Sequence, residues 1–449
     1  MLLRFRFSNF RSFRDEQELS LVASPLSELP ESVIERPAVP DGILPVAAIY
    51  GANASGKSNV LKAISFALRA VRDSFSRWPP NGPIPHLPFA LDQTAKTKPS
   101  RFVLDFLCKG VRFQYGFAAD SAFIHEEWLH TFPHGRQQHW FDRKRGSPIQ
   151  FGRMMTGENR QIESMARSNS LFLSAAAQAN HPTLSDLYGW FNGPAVDDTP
   201  PLFLLPASAR LLQDKGELLQ WIGKILGSAD VGIAGLRVKK KHFKRNDSTI
   251  VSAMSSAFAT MAPDQTRESF EQELRDSLVE FEFDHRSRVG AVALSEEQES
   301  DGTLAFLALL RPVLTSVRNG KLVLIDELDR SLHPLLAKQL IQIFNSGRAN
   351  SGGGAQAIFN THDTNLLGRD ILRRDQIWFT EKDDSGASHL YPLTDFKPRK
   401  GEDLESGYLQ GRYGAIPFLN SEAILKAFSD PPPERNGSVH GKVKKARKR

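Results

Sequence analysis

Residues 46–58 read Val46-Ala47-Ala48-Ile49-Tyr50-Gly51-Ala52-Asn53-Ala54-Ser55-Gly56-Lys57-Ser58. A short apolar run enters a glycine-bounded turn, and Val60, Leu61, Ile64 and Leu68 follow at helical spacing. Strand, loop, helix is the context that gives meaning to the Gly-x4-Gly-Lys-Ser pattern of a phosphate-binding loop. The glycines let successive backbone N–H groups turn inward, and the following helix adds its positive end. By this pattern Gly51, Asn53, Ala54, Ser55, Gly56, Lys57, Ser58 and Asn59 are expected to cradle the phosphates of ATP. Lys57 would reach the β- and γ-phosphates, and Ser58 would ligate magnesium.

The second decisive stretch is Lys321 to Asp329, KLVLIDELD. An apolar strand delivers two adjacent acids at its end, the form of a Walker B strand. Asp326 is expected to hold Mg2+, and Glu327 to act on the attacking water as general base. Thr361-His362-Asp363 follows the apolar strand Ala357 to Phe359 and would set an imidazole near the γ-phosphate. Lys57, Glu327 and His362 are therefore the expected catalytic residues. The long stretch between Lys57 and Asp326 demands a large insertion. It argues for an ATPase head split in sequence, as in the ABC and chromosome-maintenance group, rather than a compact small-GTPase arrangement.

Outside these motifs the chain alternates between two grammars. Leu3, Phe5 and Phe7 share one phase of a half-buried strand, and a second strand is expected over 19–22. Phe102, Leu104, Phe106 and then Val111, Phe113, Tyr115, separated by Lys109-Gly110, read as an antiparallel hairpin. Strand-like pieces continue to Trp140. Beyond residue 160 the pattern is mainly helical, as in Leu218-Leu219, Ile222 and later Phe270, Leu274, Leu278. Strand and helix alternate again over the last third, which suits a parallel core sheet. The expected fold is α/β: a P-loop head with a parallel core sheet, an antiparallel β subdomain and a mainly helical insertion. Expected boundaries are 1–160 for the N-terminal half of the head, 161–290 for the insertion, 291–420 for the C-terminal half, and 421–449 for a disordered tail.

Composition sets the remaining limits. With 449 residues, 40% hydrophobic and 24% charged, the chain reads as globular. Its single cysteine, Cys108, excludes an intrachain disulfide and a thiolate zinc cluster. No apolar stretch is long enough for a membrane span, and four arginines interrupt the N-terminus. A cytoplasmic protein with no membrane partner is expected. The net charge of +6 is matched by six cations of the tail, Lys442, Lys444, Lys445, Arg447, Lys448 and Arg449, so the body is balanced.

Several features keep two readings. Glu299-Ser300-Asp301-Gly302-Thr303 partly matches the ABC signature through Ser300 and Gly302. Such a segment would offer a hydroxyl, amides and a helix N-terminus to the γ-phosphate on a neighbouring subunit, or it is simply a helix cap. Gln178 is the candidate for the glutamine that senses magnesium and the attacking water, or an ordinary helix residue. Arg237 to Arg245, RVKKKHFKR, could contact DNA or RNA phosphates, as could the tail, or it is a solvated hairpin. His125, His130, His134 and His139 follow strands and a Pro-Gly turn rather than one helix face, which argues against zinc. Gly411 to Pro417, a turn with aromatic and cationic groups adjacent, is a candidate partner or subunit contact, or it packs internally.

Asn9-Phe10-Arg11-Ser12-Phe13 resembles the strand-turn element that begins chromosome-maintenance, RecF-like and overcoming-lysogenization-defect ATPases. That likeness implies that Arg11 lies near the nucleotide, against a solvated turn charge. Taken together, LRFRFSNFRSFRDEQELSLVAS, ESDGT, LIDELDRSLHP, NTHD and YLQGRYGAIPFL, spanning residues 2–419, resemble the RloA-type branch of AAA/ABC-like ATPases of bacterial phage-defence loci. The resemblance implies a homodimer or higher homo-oligomer bridged by nucleotide, with ATP and Mg2+ as ligands. It also implies a separately encoded effector, of a Toprim-like nuclease kind, that the ATPase senses for and restrains. The short chain after His362 leaves no room for an appended nuclease domain, so cutting is expected of that partner. His333 stands where ABC proteins usually carry the D-loop aspartate, so subunit crosstalk is expected to differ. The rival reading is a RecF-like DNA maintenance or repair ATPase.

Overall fold

The computed structural model describes residues 1–192, 195–197, 216–228, 232–240, 279–288, 290–330, 332–346, 354–368 and 370–417. Two sheets organise these residues. The first has six strands in the order Ala195–Asp197, Leu322–Ile325, Gln356–Asn360, Val46–Gly51, Ile377–Lys382, Ser388–Pro392. The first five run parallel and the last returns antiparallel. The second sheet has seven antiparallel strands and includes the expected hairpin, now Ser100–Cys108 and Val111–Ala119. The N-terminal strand Leu2–Ser8 lies between Ser100–Cys108 and Gln17–Ser20.

Alternation along each strand builds the layers. In the phosphate-loop strand, Ala47 and Ile49 face one core, while Val46, Ala48 and Tyr50 face the other. The helix Lys57–Asp73 fills the first core, between the parallel sheet and the apolar face of the antiparallel sheet. Its buried positions include Val60, Leu61, Ile64 and Leu68, the spacing read in the sequence. Truncating one of these leucines to alanine costs about 2–5 kcal/mol. The helices Asp301–Asn319 and Pro334–Asn345 cover the opposite face. Buried Gln356 ties the two sheets: its side chain accepts from Leu2 N at 2.6 Å and donates to Leu2 O at 2.9 Å.

The α/β class, the parallel core sheet and the antiparallel subdomain agree with the sequence reading. The insertion contributes helices Phe172–Gln178, Leu184–Phe191 and Gly216–Ser228. It also contributes a three-stranded antiparallel sheet, Ile233–Lys240, Val279–Ser287 and Gly290–Ser295, which the helical reading did not anticipate. Phe281 and Phe283 alternate inward there, against the helix Gly216–Ser228. Phe270, Leu274, Leu278, Lys241 to Arg245 and the tail lie outside the described residues. Among the described residues, no helix is long and apolar enough to cross a membrane.

Candidate functional site

The site forms where the central strands end. Val46–Gly51 sits between Gln356–Asn360 and Ile377–Lys382, with Leu322–Ile325 one strand further on. The carboxyl ends of these parallel strands open onto one cleft, the place where open α/β sheets take ligands. That cleft has a volume of about 540 Å³ and is bounded by the loop from Asn53 to Asn59, with Glu327, Asn360, His362 and Lys382 opposite.

The loop has room for little else than its own residues. Gly51 holds φ 153° and Gly56 φ 118°. A Cβ at Gly51 would meet Thr380 O at 2.4 Å, and one at Gly56 would meet Ser388 Oγ at 2.7 Å. Ser55 Oγ bonds Thr380 Oγ1 at 2.6 Å and fastens the loop to the neighbouring strand. Asn53 and Ala54 are exposed at the loop's crest, with Ala54 left-handed at φ 61°. Lys57 Nζ donates to Gly51 O at 2.8 Å and Ala52 O at 2.9 Å. Burial lowers the Lys57 pKa, and the charges of Asp329, Glu327 and Asp326 push it back up.

Two remote segments meet here. Ser58 Oγ donates to Asp326 Oδ1 at 2.7 Å. A hydroxyl and a carboxylate are the hard oxygen ligands magnesium takes, so these two residues fit the ion that the loop pattern implies. Asn360, fully buried, is the hub the sequence reading missed. Its Nδ2 donates to Asp326 Oδ1 and, at 3.3 Å, to Ser58 Oγ, while its Oδ1 accepts from Glu327 N at 2.6 Å. Glu327 is thereby held at φ 54°, a left-handed conformation that costs a non-glycine residue of order 1 kcal/mol. Leu328 N donates to Asn360 O at 3.0 Å and fixes the same turn. The Glu327 side chain stays half exposed, close to Arg330 at 3.5 Å.

Asp329 accepts from Thr361 Oγ1 at 2.7 Å and His362 N at 3.2 Å, so the Walker B turn positions the histidine loop. Burial, then the charge of Lys57, lowers the His362 pKa, while Asp329 and Glu327 raise it. Lys382 lines the same cleft from the end of its strand and was also missed. Its legible signal was the apolar run before it, Ile377 to Phe379, which resembles the strands that deliver the other site residues.

Other expected residues fall differently. Arg11 has φ 52°, donates its N–H to Leu87 O at 2.7 Å and lies 5.7 Å from the Phe10 ring. Its neighbour Ser12 accepts from Asn59 Nδ2 at 2.9 Å. Ser300 caps the helix Asp301–Asn319, accepting from Thr303 N at 3.1 Å, and Gly302 lies in its first turn. Neither is among the residues lining the chain's own cleft. His333 caps Pro334–Asn345 by accepting from Leu335 N.

Gln178 is not among the residues lining the cleft. It ends the helix Phe172–Gln178 and is exposed. That helix packs where Ser74 Oγ accepts from Leu171 N and Ser174 Oγ from Phe75 N, beyond the far end of the 17-residue phosphate-loop helix. At 1.5 Å per residue this end is about 25 Å from the loop. Phe172, Leu173 and Ala176 of the same helix are buried in the core.

Two cations of the basic segment are partnered. Arg237 pairs with Glu282 and Asp284, and Lys239 with Glu280 and Glu282, across adjacent strands. In Gly411 to Pro417, Tyr413 is buried, stacks on Phe379 and donates to Glu402, while Ala415 O accepts from Tyr408 OH. Internal packing holds Tyr413 and Ala415 of this turn.

Comparison with known proteins adds the following. No curated protein matches the chain. Among solved structures it is similar to an SMC head bound to the C-winged helix domain of ScpA, at 14% identity, covering 87% of this chain and 96% of that one with TM-score 0.41. It is similar to the SMC head domain from Thermotoga maritima at 14% identity, 87% and 98% coverage and TM-score 0.39. A Pyrococcus furiosus Smc head with an extended coiled coil, bound to the C-terminal domain of ScpA, gives 16% identity, 96% and 99% coverage and TM-score 0.32. A family model described as "AAA domain, putative AbiEii toxin, Type IV TA system" matches residues 46–368, which hold the phosphate loop, the Asp326-Glu327 pair and His362, and the chain belongs to that AAA family.

Proposed function

We propose that this chain is a cytoplasmic ATP-binding and ATP-hydrolysing head that pairs around nucleotide and governs a separately encoded effector in defence against phage. The observation that carries the reading is the Ser58–Asp326 contact, 2.7 Å long, between segments remote in sequence, with Lys57, Glu327 and His362 on the same cleft. The loop amides and the Lys57 ammonium bind the phosphates and stabilise charge developing on the β,γ-bridge and γ-phosphate oxygens. Ser58 and Asp326 would hold magnesium, which when bound neutralises phosphate charge. The Glu327 carboxylate takes a proton from water as that water attacks the γ-phosphorus, and ADP departs with the bridging oxygen. His362, whose pKa burial and the nearby Lys57 lower, reads the γ-phosphate.

Ser300 and Gly302, at the start of a 19-residue helix and outside the chain's own cleft, are available to a second head's nucleotide. The family's description as a toxin–antitoxin component supports pairing with a second gene product. The Toprim-like nuclease identity of that partner rests on the RloA resemblance. The RecF-like alternative draws less support, because Arg237 and Lys239 of the basic segment already face acids of the next strand.

A Glu327→Gln variant tests the chemistry. It should retain ATP while phosphate release falls about 10²- to 10⁴-fold, the range of general-base catalysis. Hydrolysis at the wild-type rate would remove Glu327 from the role. Light scattering with ATP should show this trapped variant as a pair, and Ser300→Arg should return it to single heads. Copurification with the product of the adjacent gene tests the effector assignment.

A further inference from the structure

The outer face of the seven-stranded sheet gathers two imidazoles and a carboxylate that the cleft chemistry does not use. His130 is next to last in the strand Ile124–Thr131, and His139 lies directly across from it on Gln138–Lys144. Asp142 is three residues after His139. In a regular strand an odd spacing puts two side chains on opposite faces. Here the register slips: His130 pairs His139, but Leu129 pairs Phe141 and Trp128 pairs Asp142. One extra residue, Trp140, has been taken up as a bulge, so His139 and Asp142 emerge on the same face as His130 while Phe141 stays in the core. Gly152 backs this bulge: its N–H donates to Trp140 O at 2.7 Å, and a Cβ there would sit 1.9 Å from His139 O.

The three groups are close without satisfying one another. Asp142 Oδ2 lies 2.6 Å from His139 Nε2, yet that buried nitrogen has no aligned hydrogen bond. Asp142 Oδ1 lies 3.6 Å from His130 Nε2, beyond hydrogen-bond reach. One ligand atom from each residue falls within 4.8 Å of the others. Two neighbouring arginines are engaged elsewhere: Arg101 pairs with Glu126 at 2.9 Å, and Arg143 donates to Ser170 O at 2.6 Å and Glu127 at 3.4 Å.

We propose that His130, His139 and Asp142 form a site for a divalent transition-metal ion of the zinc class. Two imidazole nitrogens and one carboxylate oxygen are a zinc ligand set, with bonds of about 2.0–2.2 Å that side-chain rotation on this open face can reach. Three protein ligands leave a fourth position for water or a small anion. His130 and Asp142 also wall a cleft of about 390 Å³ on the same face, which gives that ligand access.

Metal titration of the EDTA-stripped full chain, without nucleotide or magnesium, tests the site. Cobalt(II) should bind in one equivalent with the visible absorption of a low-symmetry nitrogen–oxygen site, and zinc should displace it. His139→Gln and Asp142→Asn should each weaken uptake by about 100-fold or more, since even partners outside the ligand shell are worth roughly 10- to 100-fold. A Ser58→Ala, Asp326→Asn double variant should take up cobalt like wild type, which separates this site from the nucleotide cleft. On the unmodified chain, zinc should protect His130 and His139 from diethylpyrocarbonate, read by mass spectrometry. Absence of cobalt uptake by wild type, full uptake by both ligand variants, or equal modification with and without zinc would each overturn the proposal.

Discussion

The nucleotide cleft and the outer face of the antiparallel sheet are both assembled from side chains on neighbouring strands, but they are written in the sequence in different ways. Each wall of the cleft comes with its own local syntax: an apolar strand followed at once by the residues that act. Val46 to Tyr50 leads into the loop, Leu322 to Ile325 into Asp326-Glu327, and Ala357 to Phe359 into Asn360-Thr361-His362. Parallel packing of buried strands then brings the ends together without further instruction. The histidine–aspartate cluster has no such syntax. It exists only because one residue is absorbed at Trp140 and two strands shift register. Sites at strand ends are carried by short contiguous motifs, whereas sites on a sheet face depend on pairing that no single motif records.

If the two regions are independent, damage to one should spare the other. Lys57→Ala should produce the largest effect, a fall of about 100- to 1,000-fold in phosphate release, since it removes a preorganised charge from the transferring group. Metal uptake at the sheet face should be unchanged. Loss of cobalt binding in this variant would couple the regions and break the contrast.

Asn360→Leu sharpens the account of the cleft. It leaves Ser58, Asp326 and the Glu327 N–H without their shared partner and removes what holds Glu327 left-handed. We expect urea denaturation to show a loss of about 1–3 kcal/mol, the range for stranding a buried polar group. Turnover should fall by about tenfold or more, because a general base must stay in hydrogen-bond reach of its water. Intact turnover would mean that Glu327 keeps its orientation without the hub.

How much was legible follows the same division. The fold class, the phosphate loop and the Asp326-Glu327 strand end were readable because strand periodicity and loop chemistry coincide there. Asn360 was not, although it stands beside the histidine loop, because nothing in an apolar strand's last residue says that it will be buried under three partners. Gln178 kept two readings, sensor or ordinary helix residue, because a local sequence identifies a helix but not what the helix packs against. Arg237 and Lys239 looked like an unpaired patch because their acids, Glu280, Glu282 and Asp284, lie some forty residues on and arrive only through strand pairing. The imidazoles were set aside because strand spacing alone does not reveal a bulge.

Gly152→Ala probes the sheet face from behind. The added methyl would collide with His139 O unless the bulge shifts, and overpacking of this kind costs about 1–3 kcal/mol. Thermal unfolding should register that loss and cobalt affinity should weaken, while phosphate release stays within about twofold of wild type. Retained affinity would show that the cluster does not need the bulge in its present form.

The smallest expected effect is the most pointed. Gln178→Ala alters an exposed side chain at the end of a short helix, where substitutions usually stay within about 0.5 kcal/mol. Because Gln178 is not among the residues lining the cleft, turnover should remain within about twofold. A tenfold loss in phosphate release at unchanged stability would demand that the segment ending at Gln178 swing toward the loop when nucleotide binds. The contacts of Leu171 with Ser74 and of Ser174 with Phe75 would then have to break. Because Phe172, Leu173 and Ala176 are buried in the same core as the phosphate-loop helix, such a swing would expose about 1.5–3 kcal/mol of burial for each large apolar side chain. That cost is what makes a silent Gln178→Ala variant the expected result.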